Sequence, residues 1–129
     1  MAGRERRRRL WEEASQQFVA LRARWPKAFP VNGRDVRPLA VGVARIVAAE
    51  MGWSVGHARA VLGMWKARDP YCRACLLYPK RIALDGSLTD ELVDDEARAM
   101  ARERIEARKE RKQREAEALH VIEAPPPEP

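Results

Sequence analysis

The sequence predicts a mainly α-helical domain of about five helices, with one small β-hairpin and a long C-terminal helix. Three observations lead to this class. Apolar residues recur at spacings of three and four along most of the chain. Helix-start and helix-stop residues divide it into short segments. One Asp-Gly pair, Asp85-Gly86, follows the short run 80–84, and such a pair is the strongest hairpin signal in the chain.

The first helix is predicted from a stripe of apolar residues at helical spacing, which Trp11 and Trp25 extend. The stripe consists of Leu10, Ala14, Phe18 and Leu21. The basic run 4–9 before it is either a disordered arm or the first turns of this helix, and its arginines are candidates for non-specific phosphate contact. Pro26 ends the helix, because a residue before proline is pushed out of the α region.

A second helix is predicted from Leu39 to about Met51, with Pro38 at its first position and Gly52 as its C-terminal stop. Its expected buried residues are Leu39, Val43, Ile46, Val47 and Met51. Arg37 would then lie at the start of the helix, where free amides and the helix dipole favour an anion.

Two short helices follow. Ser54 is a good N-cap for a helix over 54–67, and Asp69 followed by Pro70 repeats the start signal for a helix from Tyr71 to about Leu77. The polar residues outside their apolar faces and in the adjoining strand are Arg59, Lys66, Arg68, Tyr71, Arg73, Lys80 and Arg81. Cations around an aromatic residue on short rigid elements indicate a surface for a polyanion rather than a catalytic cleft.

The last helix is predicted from a change in the sign of charge, from acidic residues over 90–96 to basic residues from Arg98 onward, which suits a helix dipole. Its first turns can pack through Val93, Ala97, Met100 or Ala101, and Ile105. The 106–117 segment has no wide apolar face, so we expect a solvated helix there. The segment from 121 to the proline-rich end is expected to be disordered.

Composition narrows the function. The chain has 129 residues and a net charge of +6, so we expect one domain with tails and a nucleic acid or an anionic surface as partner. No apolar run approaches the ~20 residues that cross a bilayer, and acidic residues follow the N-terminal arginines where a signal peptide would be apolar. With only two cysteines, a reduced cytoplasmic protein is the expectation.

Chemical sites find little support in the sequence. Cys72 and Cys75 form one C-x-x-C pair, which supplies half of a zinc site. His57 and His120 are poor candidates for the other two ligands, so we expect both cysteines to be buried thiols that pack in the core. The acids over 85–96 fit helix capping better than a metal cluster, and the four tryptophans fit core packing. We therefore expect no enzyme, no cofactor and no metal.

The segment from Trp25 to about Arg111 resembles the ProQ/FinO domain of bacterial RNA chaperones. The matching motifs are WPKAF, VRPLAVGVARIV, the helix with Ser54 and Arg59, Tyr71, RIALDG and ARERIEARKER. With this match over 25–111, we expect an RNA-binding domain over 10–111, and composition predicts a basic arm over 1–9 and a charged helix with a disordered tail over 112–129.

The resemblance also implies a ligand: the 3′ end of a terminator hairpin, meaning its lower stem and the U-rich tail. By matching positions, Arg59 faces RNA, Tyr71 belongs to the pocket around the 3′ end, and Arg81 joins it. Arg37 matches the arginine of the R-P-L motif. Arg102 matches a basic position of the family's last helix once the alignment is shifted by one residue. Lys66, Arg68 and Lys80 complete the expected RNA-binding set, in a protein expected to be monomeric.

Three departures from the family pattern remove cations. Ala40 and Val55 stand where the family often has lysine, and Gly63 replaces an arginine. These losses should weaken phosphate contact, and Lys66, Arg68 or the 4–9 run are the candidates to compensate.

Two other functions stay open. The helices before and after Asp69 could imitate a DNA-binding helix-turn-helix, although Pro70, Tyr71 and Cys72 are poor base readers. Alternatively, the 106–117 helix could pair with a partner protein in an adaptor.

Overall fold

The computed structural model describes residues 2–123, with side chains except those of Ala2, Leu10, Trp11 and residues 121–123. In this part of the chain, five α-helices, one short 3-10 turn and a two-stranded antiparallel sheet are formed. The elements are α1 (Ala2–Arg24), the 3-10 turn (Gly33–Asp35), α2 (Val43–Met51), α3 (Val55–Lys66), α4 (Asp69–Leu77), β1 (Lys80–Ile82), β2 (Leu88–Leu92) and α5 (Asp95–Glu123). The predicted fold class is confirmed.

The Asp-Gly turn is confirmed, but its strand ends earlier than predicted. Ala83 and Leu84 belong to the turn, in which the Gly86 amide donates to the Ala83 carbonyl. Asp85 accepts from the amide of Ser87 at 2.9 Å and from its hydroxyl at 2.6 Å. Gly86 has φ +90°, and a Cβ there would lie 2.7 Å from Cδ of Lys27, so this position requires glycine.

The start of α2 differs from the prediction. Pro38 to Ala40 are extended beside β1, because the Ala40 amide donates to the Ile82 carbonyl and the Ile82 amide donates to the Pro38 carbonyl. Gly42, at φ +89°, then precedes the first helical residue, Val43. Arg37 therefore lies at an extended segment, and the expected anion site at a helix start is wrong.

The starts of the next two helices are also defined by hydrogen bonds. Ser54 caps α3 as predicted, its hydroxyl accepting from the His57 amide at 3.1 Å. Asp69 does not cap α4: Arg68 is the residue before the helix, and Asp69 lies in its first turn. The Asp69 carboxylate instead pairs with Arg73 and, at 3.5 Å, with Arg108.

The aromatic centre of the core lies between α1, α3 and the loop after α1, and the buried cluster extends from there to α2, α4, β1 and the first turns of α5. Phe18 and Phe29 each meet the ring of Trp65 edge-on, with centroids 5.3 Å apart. Trp65 is fully buried, and Trp25 and Trp53 pack at the core edge, which confirms their predicted role. The side chain of Trp11 lies outside the described residues. One expected core residue is wrong, because Ile46 is 53 % exposed; of the alternatives Met100 and Ala101, Ala101 is the buried one.

The two long helices extend beyond the core. The basic run 4–9 forms the first turns of α1, with exposed side chains. Ala101 and Ile105 bury one side of α5, and the side chains over 109–120 are exposed, as predicted for a solvated extension. This helix continues to Glu123, into the segment expected to be disordered; the expectation for 124–129 lies outside the described residues. None of the helices in 2–123 is long and apolar enough to cross a bilayer.

Candidate nucleic-acid interface

A cavity of about 290 Å³ opens where the end of α3, the buried side of α4, β1 and the first turns of α5 meet. We call it the cationic cavity. Its lining includes Lys66, Tyr71, Arg81 and Arg104, together with apolar and sulfur-containing side chains. Three of the residues predicted from the sequence, Lys66, Tyr71 and Arg81, are thus brought together by three different elements.

Tyr71 is fixed in the wall of the cationic cavity. It is 5 % exposed, and its hydroxyl accepts a hydrogen bond from the Leu39 amide at 3.0 Å. Burial raises the pKa of Tyr71 to about 12, so the phenol keeps its proton at neutral pH. The hydroxyl also lies within hydrogen-bonding reach of the Cys75 sulfur, so it has partners on both the backbone and a side chain.

Arg81 is also held by the backbone around it. Its Nη1 donates to the Leu39 carbonyl at 3.1 Å and its Nε donates to the Leu92 carbonyl at 3.4 Å. The side chain is 8 % exposed, and no ion pair among the described residues involves it. A guanidinium has five donors, so several remain for an anion in the cavity.

Lys66 adds a second cation without a partner. Burial, and then the charge of Arg81, lower the pKa of Lys66. Within residues 2–123 no carboxylate forms an ion pair with it. The rim does carry Asp94 and Glu96, but both are exposed, and Asp94 caps α5 by accepting from the Ala97 amide. Two close, poorly solvated cations favour an anionic ligand.

Arg104 is the cavity residue that the sequence analysis missed. Its Nη1 donates to the Lys66 carbonyl at 3.3 Å, which ties α5 to the end of α3. It lies three residues after Ala101 on the packed side of α5, and continuing that stripe would have identified it. Arg102, which was selected instead, is exposed and does not line the cavity.

Arg59 extends the positive surface along α3. Arg59, Gly63 and Lys66 are spaced by four and then three residues, so they share one side of the helix. Seven residues of helix place Arg59 about 10 Å from Lys66 along the axis. Arg59 is exposed, so a cationic stripe leads from the cavity toward the start of α3.

The other three predicted residues do not line the cationic cavity. Arg37 covers the ring of Tyr78 at 4.0 Å and lines a different depression, and Arg68 covers Trp65 at 4.6 Å. Lys80 lies 3.8 Å from Asp90 on the hairpin. Their predicted contact with RNA therefore lies outside the cavity and stays a prediction.

The start of α4 is unsuited to reading DNA bases. Tyr71, Cys72 and Ala74 are buried against the rest of the domain. A recognition helix needs exposed side chains in its first turns. The helix-turn-helix alternative therefore loses the residues it would depend on.

The cysteines are buried and free, as predicted. Within residues 2–123 no group of three or more His, Cys, Asp or Glu side chains is arranged to hold a metal ion. His57 instead meets the ring of Trp53 edge-on.

Comparisons with known proteins agree with this architecture. The solution structure of a ProQ homolog from Legionella pneumophila is 22% identical, with a TM-score of 0.55 over 71% of this chain and 80% of that one. The crystal structure of a FinO-like RNA chaperone from Neisseria meningitidis is 22% identical, with a TM-score of 0.54 over 81% of this chain and 85% of that one. Curated protein sequences gave no match. The ProQ/FINO family model matches residues 12–118, most of the chain. The chain therefore belongs to the ProQ/FinO family.

Proposed function

We propose that this protein is an RNA chaperone that binds the 3′ end of a structured RNA, a terminator hairpin followed by a U-rich tail. The observation that carries the proposal is the convergence of Lys66, Tyr71, Arg81 and Arg104 on one cavity with two unpaired cations. Membership of the ProQ/FinO family supports RNA as the polyanion.

The size of the cationic cavity favours a single-stranded end. At about 290 Å³ it lies at the lower limit of ligand pockets, so a terminal nucleotide fits and a duplex does not. The terminal phosphate would receive hydrogen bonds from Arg81 and Arg104 and charge from Lys66. Tyr71 would turn its hydroxyl proton from the Cys75 sulfur to the phosphate; its buried ring leaves no room for stacking on a base.

The stem of the hairpin would follow the cationic stripe on α3. A-form RNA hides its base edges in a deep groove, so a small rigid protein reads phosphates and 2′-hydroxyls. Arg59 is exposed and positioned about 10 Å from the cavity, a span of one to two phosphates along a strand. Binding would therefore depend on shape more than on sequence.

The proposal extends to the setting of this activity. A monomeric protein bound at the 3′ ends of small RNAs and mRNAs in the cytoplasm would act in post-transcriptional regulation. The net charge of +6 supports nucleic-acid binding in general.

The test compares one hairpin with its U-rich tail on the 3′ side and the same hairpin with that tail on the 5′ side. We expect the 3′-tailed RNA to bind at least tenfold more tightly in electrophoretic shift titrations, because only its end reaches the cavity. Equal affinities would refute 3′-end recognition. A DNA hairpin of the same sequence should bind weakly, since it lacks the 2′-hydroxyls.

Two arginines of α5 provide a matched pair of variants. Arg104→Ala should weaken binding of the 3′-tailed hairpin about tenfold, because a charge-assisted hydrogen bond is worth about 1.5–3 kcal/mol. Arg102→Ala removes the same charge from the same helix outside the cavity, and should change affinity less than twofold. If the two variants weakened binding equally, non-specific charge rather than the cavity would explain the affinity.

A further inference from the structure

The cationic cavity has a second chemical character, because three sulfur-containing side chains line it. Cys72 and Cys75 come from α4, and Met100 comes from α5. Both cysteines are free thiols, 1 % and 4 % exposed, and Met100 is 47 % exposed at the opening. The proposed RNA contacts use none of these three groups.

We propose that Cys72, Cys75 and Met100 form a binding site for a soft monovalent metal ion, Cu(I) or Ag(I), and that this ion and the RNA 3′ end exclude each other. The competition rests on the proposed function, whereas the metal site does not. Thiolate and thioether sulfurs are the ligands that select Cu(I) among biological metals.

Helix geometry favours a bridging metal over a disulfide. Residues three apart on an α-helix have Cβ atoms about 5–6 Å apart, whereas a disulfide requires about 3.5–4.5 Å. Cys72 and Cys75 have this spacing within α4, and both border the same cavity. A metal ion between two sulfurs fills the wider gap without distorting the helix.

The two thiols have weak hydrogen-bond partners within the domain, which a bound metal ion would replace. The Cys72 thiol donates to the Lys66 carbonyl at 3.6 Å and to the Ala67 carbonyl at 3.9 Å, and the Cys75 sulfur lies within hydrogen-bonding reach of the Tyr71 hydroxyl. Burial raises the pKa of Cys75, while the nearby charges of Arg81 and Lys66 act in the opposite direction. Arg81 and Lys66 therefore lie close enough to stabilise negative charge on the Cys75 sulfur once a metal ion displaces its proton.

Charge explains why the two ligands compete. Binding of M⁺ to two thiols releases two protons and leaves a bis-thiolate complex with one negative charge, so charge is conserved. That complex would neutralise part of the field of Lys66 and Arg81 in the same small cavity. By linkage, bound RNA must weaken metal binding by the same factor as metal weakens RNA binding.

The metal site is tested on the full chain without RNA, with Ag(I) added as the nitrate in chloride-free buffer. Native mass spectrometry should show one tightly held Ag(I) per chain. Cys72→Ala and Cys75→Ala should each weaken binding at least tenfold, and Met100→Leu about threefold. Met64→Leu removes a thioether outside the cavity and should have no effect. Circular dichroism establishes that each variant is folded, and undiminished Ag(I) binding by folded Cys72→Ala and Cys75→Ala would overturn the site.

Competition is measured by repeating the 3′-tailed hairpin titration with one equivalent of Ag(I). We expect Ag(I) to lower the RNA affinity of the wild type at least fivefold and to leave that of the double variant Cys72→Ala/Cys75→Ala unchanged. The double variant also shows whether Ag(I) acts by binding to the RNA itself. Unchanged RNA affinity in an Ag(I)-loaded wild type would overturn the competition. If the metal-free wild type did not bind the 3′-tailed hairpin, the proposed function would be wrong. The number of Ag(I) ions bound per chain would still show whether the metal site exists.

Discussion

The ammonium group of Lys66 makes the cationic cavity sensitive to pH. Burial, and then the charge of Arg81, lower its pKa from the ordinary 10.5, so it loses its proton at lower pH than an exposed lysine. A phosphate beside it favours the charged form, so RNA binding must take up protons in the alkaline range.

We therefore expect wild-type affinity for the 3′-tailed hairpin to fall as pH rises from about 8 to 10. Lys66→Arg keeps its charge over this range, and its affinity should fall less. Fluorescence anisotropy at constant ionic strength measures both proteins. Parallel curves for the two proteins would show that Lys66 does not contact the phosphate.

Tyr71 combines a structural and a binding role. Tyr71→Phe leaves the Leu39 amide without its acceptor, which should lower the free energy of unfolding by about 1–3 kcal/mol. It also removes the proton offered to RNA, so affinity should fall about fivefold, since a hydrogen bond is worth about 1 kcal/mol. Urea unfolding and shift titrations measure the two effects.

Tyr78→Phe is the control for the phenol, because Tyr78 lies outside the cavity and no hydrogen bond of its hydroxyl is observed among the described residues. It should leave RNA affinity unchanged. If folded Tyr71→Phe bound the RNA with wild-type affinity, the Tyr71 hydroxyl would not contact the RNA. Replacing Tyr71 or Arg81 by alanine is a poorer test, because both side chains are buried and form hydrogen bonds with the backbone of Leu39, so their loss would also affect folding.

At this scale, sequence and structure agree on the cavity only in part. Tyr71 and Arg81 follow from the family resemblance, and Lys66 from its position outside the apolar face of α3. Arg104 was accessible from helical spacing, but residue alignment across the family led to Arg102. The structure places Arg37, Arg68 and Lys80 outside the cavity, which the sequence could not foresee because their positions relative to it depend on the tertiary fold.

At the scale of the elements, Gly63 interrupts the cationic stripe of α3. It lies between Arg59 and Lys66, and a Cβ built there meets no atom within 4 Å. Gly63→Ala should stabilise the protein by about 0.5–1 kcal/mol through helix propensity alone, without changing RNA affinity. Gly63→Arg should stabilise the helix similarly and raise affinity severalfold, because it adds a phosphate contact.

Gly63→Glu completes the series by reversing the added charge, and its affinity should fall below that of Gly63→Ala. Thermal unfolding and shift titrations of the three variants separate stability from binding. Equal affinities for the arginine and glutamate variants would show that RNA does not follow this side of α3.

Local signals located most elements. Ser54, Gly52 and the Asp85-Gly86 turn act within a few residues, and the structure confirms them. The start of α2 failed because it depends on a bridge between 38–40 and Ile82, more than forty residues away. Pro38 after Arg37 reads as a helix start, but these backbone groups are taken by β1 and by Tyr71.

At the scale of the whole molecule, the exposed end of α5 separates two possible functions. An adaptor would bind its partner protein through this end, whereas an RNA-binding domain would not need it. Residues 109–120 are exposed, so the described side chains of the segment 113–129 make no core contact that its removal would take away. We expect this truncation to keep the melting temperature and to bind the 3′-tailed hairpin within about twofold of the full chain. A loss above tenfold would mean that the extension is part of the RNA-binding surface.

The central claim is that the cationic cavity holds the 3′-terminal nucleotide, and site-specific crosslinking tests it most directly. The hairpin carries one 4-thiouridine, at its last position, and crosslinked peptides are identified by mass spectrometry after irradiation. We predict crosslinks to the segments that contain Tyr71 to Cys75, Arg81 or Arg104. Crosslinks confined to α1, or to the surface that carries Arg37 and Arg68, would contradict the claim.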